Sequence, residues 1–568
     1  MDRQPHATAL DGTPPGFRRR VLLKALGAVG IGASVGTSML PTRAVASDGL
    51  PSATDLEPGD LTFSIVEQRR PFDLLAKNFV QLRDDFDGGL GGYQLLAPAP
   101  EQNAGDVVTG GGALRIGGES AFALLRSATG QQAPYATVII DVTSFAGTGG
   151  AHDTVYAGLV KDAGSFLLAW YNRTSGVAGI DVAAGGVVQT LGTVAADLAA
   201  PVRFAFSLTA TTAVALVDEG DGFRPLLRRN VGGQVDLQRP AALVEYRNGF
   251  GARTSSGTVE LGGVQAGYYG EAGVRDPHLV TRADGTPYIK GGKAYLTFTQ
   301  AGLAFFETAH WGVWTVDLET YAMEQVANLF FRREGKDAIF GDHAGHVVLD
   351  EDNDRWILTM STWGDFTFDG VEVNYATVPA NTDLLRGVHI IETTRLPLPV
   401  DDLPTTAVGQ WDPHVVRIRG RWYVAFVNAR RFFDFFPVLA RSGAGGDFTD
   451  LALVGADPGK NETEGTVMQK VGLEWYVFAS NGNASPPEIR GQYPVYDLTM
   501  QQVDTLDAPH PTNIPWPMVF PVPLSHGRSR YVMVTFNGTQ FHEPVLGYGT
   551  HGDVVVMEAE PVVRGRVF

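Results

Sequence analysis

Two similar tetrapeptides and one dipeptide place three carboxylates where they could act together. Arg275–His278 reads Arg-Asp-Pro-His, Trp411–His414 reads Trp-Asp-Pro-His, and Glu464, followed by Gly, begins a similar strand-like run 52 residues after Asp412. Cleavage of a glycosidic bond needs a protonated acid at the leaving oxygen and an ionised carboxylate on the opposite side of the sugar. Asp276, Asp412 and Glu464 are therefore candidate catalytic residues for that chemistry.

Each candidate begins one of five repeated units in the C-terminal part of the chain. In every unit the first residue leads into an apolar strand, then a turn, then an aromatic-rich second strand. The units start 52 to 70 residues apart, at Asp276, Asp342, Asp412, Glu464 and Trp516. This spacing suits four-stranded propeller blades with their loops. The sequence therefore predicts a five-bladed β-propeller, in which the five starting side chains converge on one mouth of the central channel.

Proline follows two of these starting residues. A residue before proline is pushed out of the α region into extended backbone. We therefore expect Asp276 and Asp412 to have strand geometry at the channel mouth.

The preceding part of the chain, about residues 60–270, alternates apolar and polar residues with the period of two that half-buried strands show. Strands are predicted at Ala136–Phe145, Val155–Val160, Ser165–Tyr171, Gly179–Val182, Pro201–Leu208 and Ala213–Val217. Short turns with Gly, Asp and Asn separate them, as in a β-sandwich. The run 156–172 resembles the concanavalin- or laminin-G-like sandwiches attached to many carbohydrate-active enzymes. Such a sandwich either binds glycan or only supports its neighbour.

The N-terminus has the features of an export signal. Arg19 and Arg20 are followed by a moderately apolar run over 25–39, and Ala44–Ala46 offers small residues for cleavage after Ala46. This segment resembles a bacterial twin-arginine signal peptide, which implies secretion. A membrane anchor is disfavoured because the run is rich in Gly and Ala and shorter than the about 20 apolar residues that span a bilayer.

The domain prediction is thus all-β, a jelly-roll or concanavalin-like sandwich followed by a propeller. Its limits are 1–46 for the signal peptide, 47–59 for a linker, 60–270 for the β-sandwich and 271–568 for the propeller. The 69 Gly and 33 Pro of the 568 residues supply the many turns that such a chain needs.

The net charge and the composition limit which classes of molecule the protein could bind. The formal net charge is −18, and removal of residues 1–46, with six Lys or Arg and two Asp or Glu, makes it about −22. So acidic a protein is unsuited to nucleic acid or anionic membranes, where cationic residues supply affinity; a polysaccharide or oligosaccharide suits it better. The absence of cysteine excludes disulfides and Cys-ligated metals. No cofactor is required, although the composition leaves room for a structural calcium ion.

The order Asp-Pro, Asp-Pro, Glu-Gly, with gaps of 136 and 52 residues, resembles the five-bladed propeller glycoside hydrolases of the family 43 type. These act mainly on arabinofuranosides and xylosides, and the related family 32 and 68 types act on fructans. The resemblance covers about residues 271–568. It implies that Asp276 is the general base, that Asp412 raises the pKa of the acid and orients it, that Glu464 is the general acid, and that cleavage inverts the anomeric centre. Glu464 departs from the pattern by preceding Gly-Thr, and Glu462 competes for the acid role.

Several further side chains are candidates for substrate binding. His278 and His414 follow the Asp-Pro pairs, where they either face the channel or make a hydrogen bond in the core. His343 lies at the start of the second unit, and with Asp342 and His346 it offers three potential metal ligands, but we predict substrate contact there rather than a metal site.

Aromatic and basic residues complete the candidate set. Trp311, Trp363 and Trp516 could stack on sugars, and Arg430 could pair with acids at the mouth. The aromatic run 432–436 is predicted to pack between blades or against the sandwich.

The sequence as a whole predicts a secreted glycoside hydrolase that cleaves furanose-containing glycans, with arabinan or arabinofuranosides first and galactofuranan or fructan next. Two alternatives stay open. One is a non-catalytic glycan-binding propeller, and the other is a transglycosylase or lyase on the same fold.

Overall fold

The structure is a computed structural model that describes residues 50–147, 152–367, 370–403, 407–538 and 552–565. Strands dominate these ranges, and the predicted all-β class is confirmed. The described helices are one α-helical turn, Pro240–Leu243, and the 3-10 turns Pro58–Asp60, Lys77–Phe79, Phe306–Thr308, Glu351–Asn353, Trp363–Asp365 and Ser525–Gly527.

The predicted signal peptide, residues 1–46, lies outside the described residues. Among the residues that the structure describes, no helix has the length and apolar character needed to cross a membrane.

Two sheets packed face to face form the sandwich. In spatial order the first contains Val187–Ala195, Val177–Ala184, Ser165–Asn172, Thr154–Asp162, Arg247–Thr254, Ala121–Ser127 and Tyr93–Leu96. The second contains Arg224–Asn230, Thr212–Asp218, Val202–Thr209, Tyr135–Ala146, Thr258–Gly267, Leu114–Gly117 and Asp106–Thr109, with Val80–Asp84 also paired to Thr258–Gly267. Alternate residues such as Val138, Ile140, Phe204 and Phe206 point into the shared core, which is the burial that the period of two predicted.

The strands after residue 270, together with Thr62–Arg69, form five antiparallel groups of four, which we call strand sets 1 to 5. Set 1 is Val274–Leu279, Lys293–Gln300, His310–Asp317 and Met323–Arg333; set 2 is His343–Asp350, Arg355–Ser361, Val373–Pro379 and Gly387–Arg395. Set 3 is Gly409–Ile418, Arg421–Arg431, Asp434–Ser442 and Leu451–Ala456; set 4 is Thr463–Val471, Glu474–Asn481, Pro494–Tyr496 and Gln502–Thr505. Set 5 is Met518–Leu524, Arg528–Asn537, Asp553–Glu560 and Thr62–Arg69. The short strands are Thr281–Arg282, Ile289–Lys290 and Val563–Arg564.

The sets close into a ring. The first strand of each set contacts the first strand of the next set, and that of set 5 contacts that of set 1. Sets 1 and 2 are also joined at their outer strands, where Met323–Arg333 pairs parallel to Gly387–Arg395. The order of the sets in this ring is the order of the five predicted units.

The strand Thr62–Arg69 lies far from its sequence neighbours. It pairs antiparallel with Asp553–Glu560 and so forms the outer strand of set 5 rather than part of the sandwich. Ala53 and Leu56, within the predicted linker, are buried in a core with residues of sets 4 and 5. The N-terminal segment therefore completes the ring before the chain enters the sandwich.

The sandwich packs on set 1 through an aromatic contact. The ring of Tyr135 stacks on Phe330 with centroids 5.0 Å apart, and its hydroxyl donates to the carbonyl of Ala309 at 2.8 Å. A continuous apolar cluster surrounds this contact, so the sandwich and the ring share one core.

Candidate active site

The first strands of sets 1 to 4 contain the same irregularity. In each, one extra residue interrupts the pairing with the second strand, which is a β-bulge. The bulged residue has positive φ in every case: 53° at Asp276, 54° at Ala344, 56° at Asp412 and 71° at Gly465. Backbone geometry therefore defines four equivalent positions, one in the first strand of each of sets 1 to 4.

The bulges correct two sequence expectations. Extended backbone at Asp276 and Asp412 was wrong, because both are left-handed, a conformation that Asp tolerates better than most residues. The three carboxylates are also not equivalent. Glu464 lies one residue before its bulge and corresponds to Arg275 and Trp411, and the equivalent of Asp276 in set 2 is an alanine rather than Asp342.

One guanidinium joins two of the carboxylates. Nε of Arg275 donates to Oδ1 of Asp276 at 2.6 Å, and Nη2 lies 3.4 Å from Oε1 of Glu464. The other oxygen of Glu464, Oε2, accepts a hydrogen bond from the indole Nε1 of Trp411 at 3.1 Å. The residues equivalent to Glu464 in sets 1 and 3 thus both donate to it.

Asp412 is held by the neighbouring sets. Its Oδ2 accepts from the backbone N–H of Gly465 at 3.1 Å, and its carbonyl accepts from the hydroxyl of Thr466 at 2.8 Å. Its own N–H donates to Oγ of Ser361 at 3.0 Å. These bonds fix Asp412 between sets 2 and 4, beside Glu464.

Burial controls the protonation of this cluster. It raises the pKa of Glu464 to about 7; the negative charges of Asp276 and Glu462 add to the rise, while Arg275 and the Trp411 hydrogen bond oppose it. The pKa of Asp412 is raised well above its ordinary value, first by burial and then by the charges of Glu464 and Asp276. Such neighbouring carboxyls titrate as a pair. A proton is therefore available in the cluster near neutral pH, as general acid catalysis requires.

The cluster forms the buried end of a cavity of about 350 Å³. Six of the residues predicted from the sequence line it: Asp276, Asp412, Glu464, His343, Trp363 and Trp516. Its other lining residues are Arg275, Phe305, Phe306, Ala344, Phe366, Trp411, Phe432, Phe433, Phe435, Glu462, Asn513 and Ile514. The cavity thus joins an ionisable end to a wall of aromatic rings.

Glu462 does not share the position of Glu464. Its Oε1 accepts from Nδ2 of Asn513 at 3.1 Å, and its Oε2 accepts from the backbone N–H of Ala484. Because Glu464 rather than Glu462 lies in the Arg275 and Trp411 network, the geometry favours Glu464 for the acid role.

Two predicted histidines lie away from the cavity lining. His278 and His414 stack with His346 further along the first strands, with centroids 4.0 Å apart between His346 and His414. All three are buried, and burial lowers the pKa of each. They are therefore neutral core residues at the centre of the ring. Of the two alternatives left open for His278 and His414, the structure shows the core; the bulge inserts one residue before each of them and so interrupts the alternation along the strand.

Trp311 and Arg430 are also placed elsewhere. Trp311 is fully buried between sets 1 and 2 and packs near Phe331. Arg430 donates to Oδ1 of Asp434 at 2.6 Å and to the carbonyls of Pro458 and Lys460. Neither lines the cavity.

The residues 342–346 do not converge on a metal. Asp342 is paired with Arg333, whose Nε lies 2.7 Å from its Oδ2, and Nδ1 of His343 bonds to the carbonyl of Gly341 at 2.8 Å. The side chain of His346 belongs to the histidine stack. Within the described residues, no group of three or more His, Asp and Glu is arranged to hold a metal ion.

Sequence reasoning missed two kinds of site residue. Arg275 and Trp411 are the first residues of the two tetrapeptides, which are otherwise identical. This difference between the two copies was the signal that could have identified them. Phe432, Phe433 and Phe435 line the cavity instead of packing between sheets as predicted, whereas Phe436 is in the core. The alternation of side-chain directions holds within strands, so it does not predict which way a side chain points at the tip of a hairpin.

Comparisons with known proteins do not identify a family. No family model matches the chain, and no curated protein matches it. Similar solved structures include the levansucrase of Bacillus subtilis, with 10% identity, a TM-score of 0.37, and coverage of 51% of this chain and 87% of that one. The inulosucrase of Halalkalicoccus jeotgali bound to kestose has 14% identity, a TM-score of 0.36, and coverage of 52% and 88%.

The carbohydrate-binding module CBM66 of Bacillus subtilis has 10% identity, a TM-score of 0.23, and coverage of 30% of this chain and 93% of the module. Likenesses with such low identities and TM-scores carry no argument about function. The functional proposal below therefore rests on the chemistry of the site.

Proposed function

We propose that the protein cleaves glycosidic bonds, with Glu464 as general acid and Asp276 as the ionised carboxylate on the opposite side of the sugar. The observation that carries this proposal is the pairing of Glu464, whose pKa burial raises to about 7, with Asp276 through one arginine. An acid with a pKa near the working pH and a charge-stabilised carboxylate beside it are the two groups that glycoside cleavage uses.

Asp412 is proposed to tune Glu464. Its side chain is fixed by the N–H of Gly465, next to Glu464 in the chain. Because the two carboxyls titrate as a pair, ionisation of one favours the protonated form of the other, which agrees with the role that the family 43 resemblance implies. The same resemblance implies inversion, with Asp276 activating water.

The proposed substrate is a furanose-containing glycan, with arabinan or arabinofuranosides first and galactofuranan or fructan next. The proposed fold is a five-bladed propeller, which the ring of five strand sets supports, and the proposed location is outside the cell after twin-arginine export. The small cavity, about 350 Å³, is at the lower end of the about 300–1,000 Å³ typical of ligand pockets, and this favours action on the last sugar of a chain.

A panel of arabinans, arabinogalactan, fructans and xylans tests the proposal, with products analysed by mass. Hydrolysis adds one water to the fragments, whereas transfer or elimination does not. The variants Glu464→Gln and Asp276→Asn should each lose about 10²–10⁴-fold in kcat, the usual contribution of an acid or base, while Glu474→Gln, an exposed carboxylate on set 4, should match the parent.

Near-normal turnover by both site variants would exclude these roles. Saturable glycan binding without any product, even on long incubation, would instead identify a non-catalytic binding protein. The Glu462→Gln variant separates the two neighbouring acids, because only loss of Glu464 should remove the fall in rate above neutral pH.

A further inference from the structure

The cavity has two chemically distinct ends. Asp276, Asp412 and Glu464 are buried at one end and bonded to one another through Arg275 and the backbone. At the other end Phe433 is 66% exposed. The cavity therefore extends from the proposed reaction centre, at the carboxylates, to solvent at Phe433.

Aromatic rings connect these ends on the side of the acid. Trp411, which donates to Glu464, lies nearly parallel to Phe432, with a 4° angle between planes and centroids 6.4 Å apart. Phe432 in turn contacts Phe366 at 5.1 Å. Because the general acid protonates the leaving oxygen, the leaving group must depart past these rings.

The outer rings, those of Trp411, Phe432, Phe366 and Phe433, offer no partners for hydroxyl groups, because three are Phe and the indole N–H of Trp411 is bonded to Glu464. Polar groups of the lining belong to Arg275, Asp276, His343, Asp412, Glu462, Glu464 and Asn513 and to the indole N–H of Trp363, Trp411 and Trp516, and the lining is otherwise Phe, Ile and Ala. Of these polar residues, Asp276, Asp412, Glu464 and Arg275 are already joined at the buried end, and Glu462 is bonded to Asn513. A sugar among the outer rings could stack on them but would find no protein partner for its hydroxyls, whereas an alkyl or aryl group would gain by burial of its whole surface.

The backbone at the outer rings is strained. Arg431 pairs directly with Asp434, so Phe432 and Phe433 form a two-residue hairpin loop. Phe433 has φ of 65°, where Gly or Asn is usual. Strain that places a bulky apolar side chain in solvent beside a cavity points to a binding role.

We propose that the outer, aromatic end of the cavity binds an apolar leaving group, so that the substrates include glycosides with an alkyl or aryl aglycone. This inference rests on the proposed function, since it assigns the leaving-group side from Glu464. One sugar ring then occupies the polar end, and the aglycone lies against Trp411, Phe432, Phe366 and Phe433.

Methyl and octyl glycosides of one sugar test the inference, because their leaving groups have similar acidity and differ in apolar area. Arabinofuranosides are tested first, in both anomers, then galactofuranosides and fructofuranosides. We expect kcat/KM to be at least about tenfold higher for the octyl glycoside, a factor that burial of two methylenes supplies. The Phe433→Ser variant should reduce this preference several-fold.

Leu473→Ser is the matched control. Leu473 is 60% exposed at the tip of another two-residue hairpin loop, between Val471 and Glu474, and does not line the cavity. This variant should keep both the activity and the octyl preference. Calorimetry with octyl glycoside and the Glu464→Gln variant should show a negative heat-capacity change on binding, the mark of apolar burial.

The outcomes separate the two proposals. Equal rates for methyl and octyl glycosides, or a strong preference for an unsubstituted oligosaccharide of the same sugar, would overturn the apolar aglycone and leave glycoside cleavage intact. Failure to cleave any glycoside, polysaccharide or oligosaccharide would contradict the proposed function itself.

Discussion

Arg275 and Glu464 stand 189 residues apart in the chain, yet Nη2 of the arginine lies 3.4 Å from Oε1 of the glutamate. The two residues occupy equivalent places, each directly before the bulge of its first strand. The arginine charge lowers the pKa of Glu464, and burial raises it by more, so that it comes to about 7. The pKa of Glu464, the proposed acid, therefore depends on two opposing effects, and single substitutions can shift it in either direction.

Replacing Arg275 by Gln should raise the pKa of Glu464. A general acid works when protonated, so the rate should fall as pH rises through about 7 in the parent and at higher pH in this variant. The plateau of kcat/KM should also drop, because Asp276 loses its ionic partner. The pH dependence of kcat/KM measures both effects, and Arg430→Gln, an arginine paired with Asp434 away from the cavity, is the control. If kcat/KM of Arg275→Gln declined at the same alkaline pH as in the parent, the arginine charge would not control the pKa of Glu464.

Replacing Asp412 by Asn should shift the alkaline decline of kcat/KM in the opposite direction, to lower pH. The asparagine oxygen can still accept from Gly465, but the carboxyl that titrates as a pair with Glu464 is lost, so that no second ionisation opposes that of Glu464 and the pKa of the acid should fall. The pH profile of kcat/KM should then decline at lower pH than in the parent. Coinciding alkaline limbs would show that Asp412 is itself protonated in this range and does not tune Glu464.

Repetition made the site partly visible in the sequence. Because the five units repeat, Asp276, Asp412 and Glu464 could be brought together without knowledge of any distance. The positive φ at Asp276 could not be predicted, because the proline rule favours extended backbone and the bulge overrides it. Whether His278 and His414 face the channel or the core could not be decided from the sequence for the same reason.

Long-range pairing was the other limit. Nothing in the pattern of Thr62–Arg69 distinguishes a sandwich strand from the closing strand of set 5, since both alternate and only the partner, Asp553–Glu560, differs. The aromatic end of the cavity was hidden likewise, because Phe306, Phe366 and Phe433 come from loops of three different sets and meet only in the folded chain.

Gly465→Ala should damage both stability and catalysis, and Gly420→Ala should damage stability alone. Both glycines have positive φ, 71° and 76°, which costs another residue about 1–2 kcal/mol. A Cβ at Gly465 would also lie 2.6 Å from Cδ1 of Trp516, whereas one at Gly420 would meet nothing within 4 Å. Gly465 must therefore shift, together with Glu464 and the N–H that binds Asp412.

Urea unfolding and kcat/KM of the two variants measure the difference. Gly420→Ala reports the backbone strain by itself, so the excess loss in Gly465→Ala is the effect of the Trp516 contact. Equal stability losses with full activity in both would show that Trp516 moves aside freely and that the bulge does not position Glu464.

The stack of His278, His346 and His414 should make the protein sensitive to acid. Burial lowers the pKa of His346 to about 3, from an ordinary value of 6.5. The unfolded chain therefore binds the proton first, and the stabilising neutral form is fully favoured only above pH 6.5 and loses its advantage as pH falls toward 3. At pH 4.5 this linkage should remove about 2–3 kcal/mol for one such histidine.

The free energy of unfolding of the parent, His346→Asn and His526→Asn, measured in urea at pH 7 and pH 4.5, tests this. His346→Asn should start less stable at pH 7, because the stack and the bonds to Thr281 and Val415 are lost, but should lose less on acidification. His526 is exposed in a turn, so its variant should follow the parent at both pH values. Carboxylate titration is common to all three proteins and cancels in the comparison; identical losses in the parent and His346→Asn would mean that the buried stack does not control acid sensitivity.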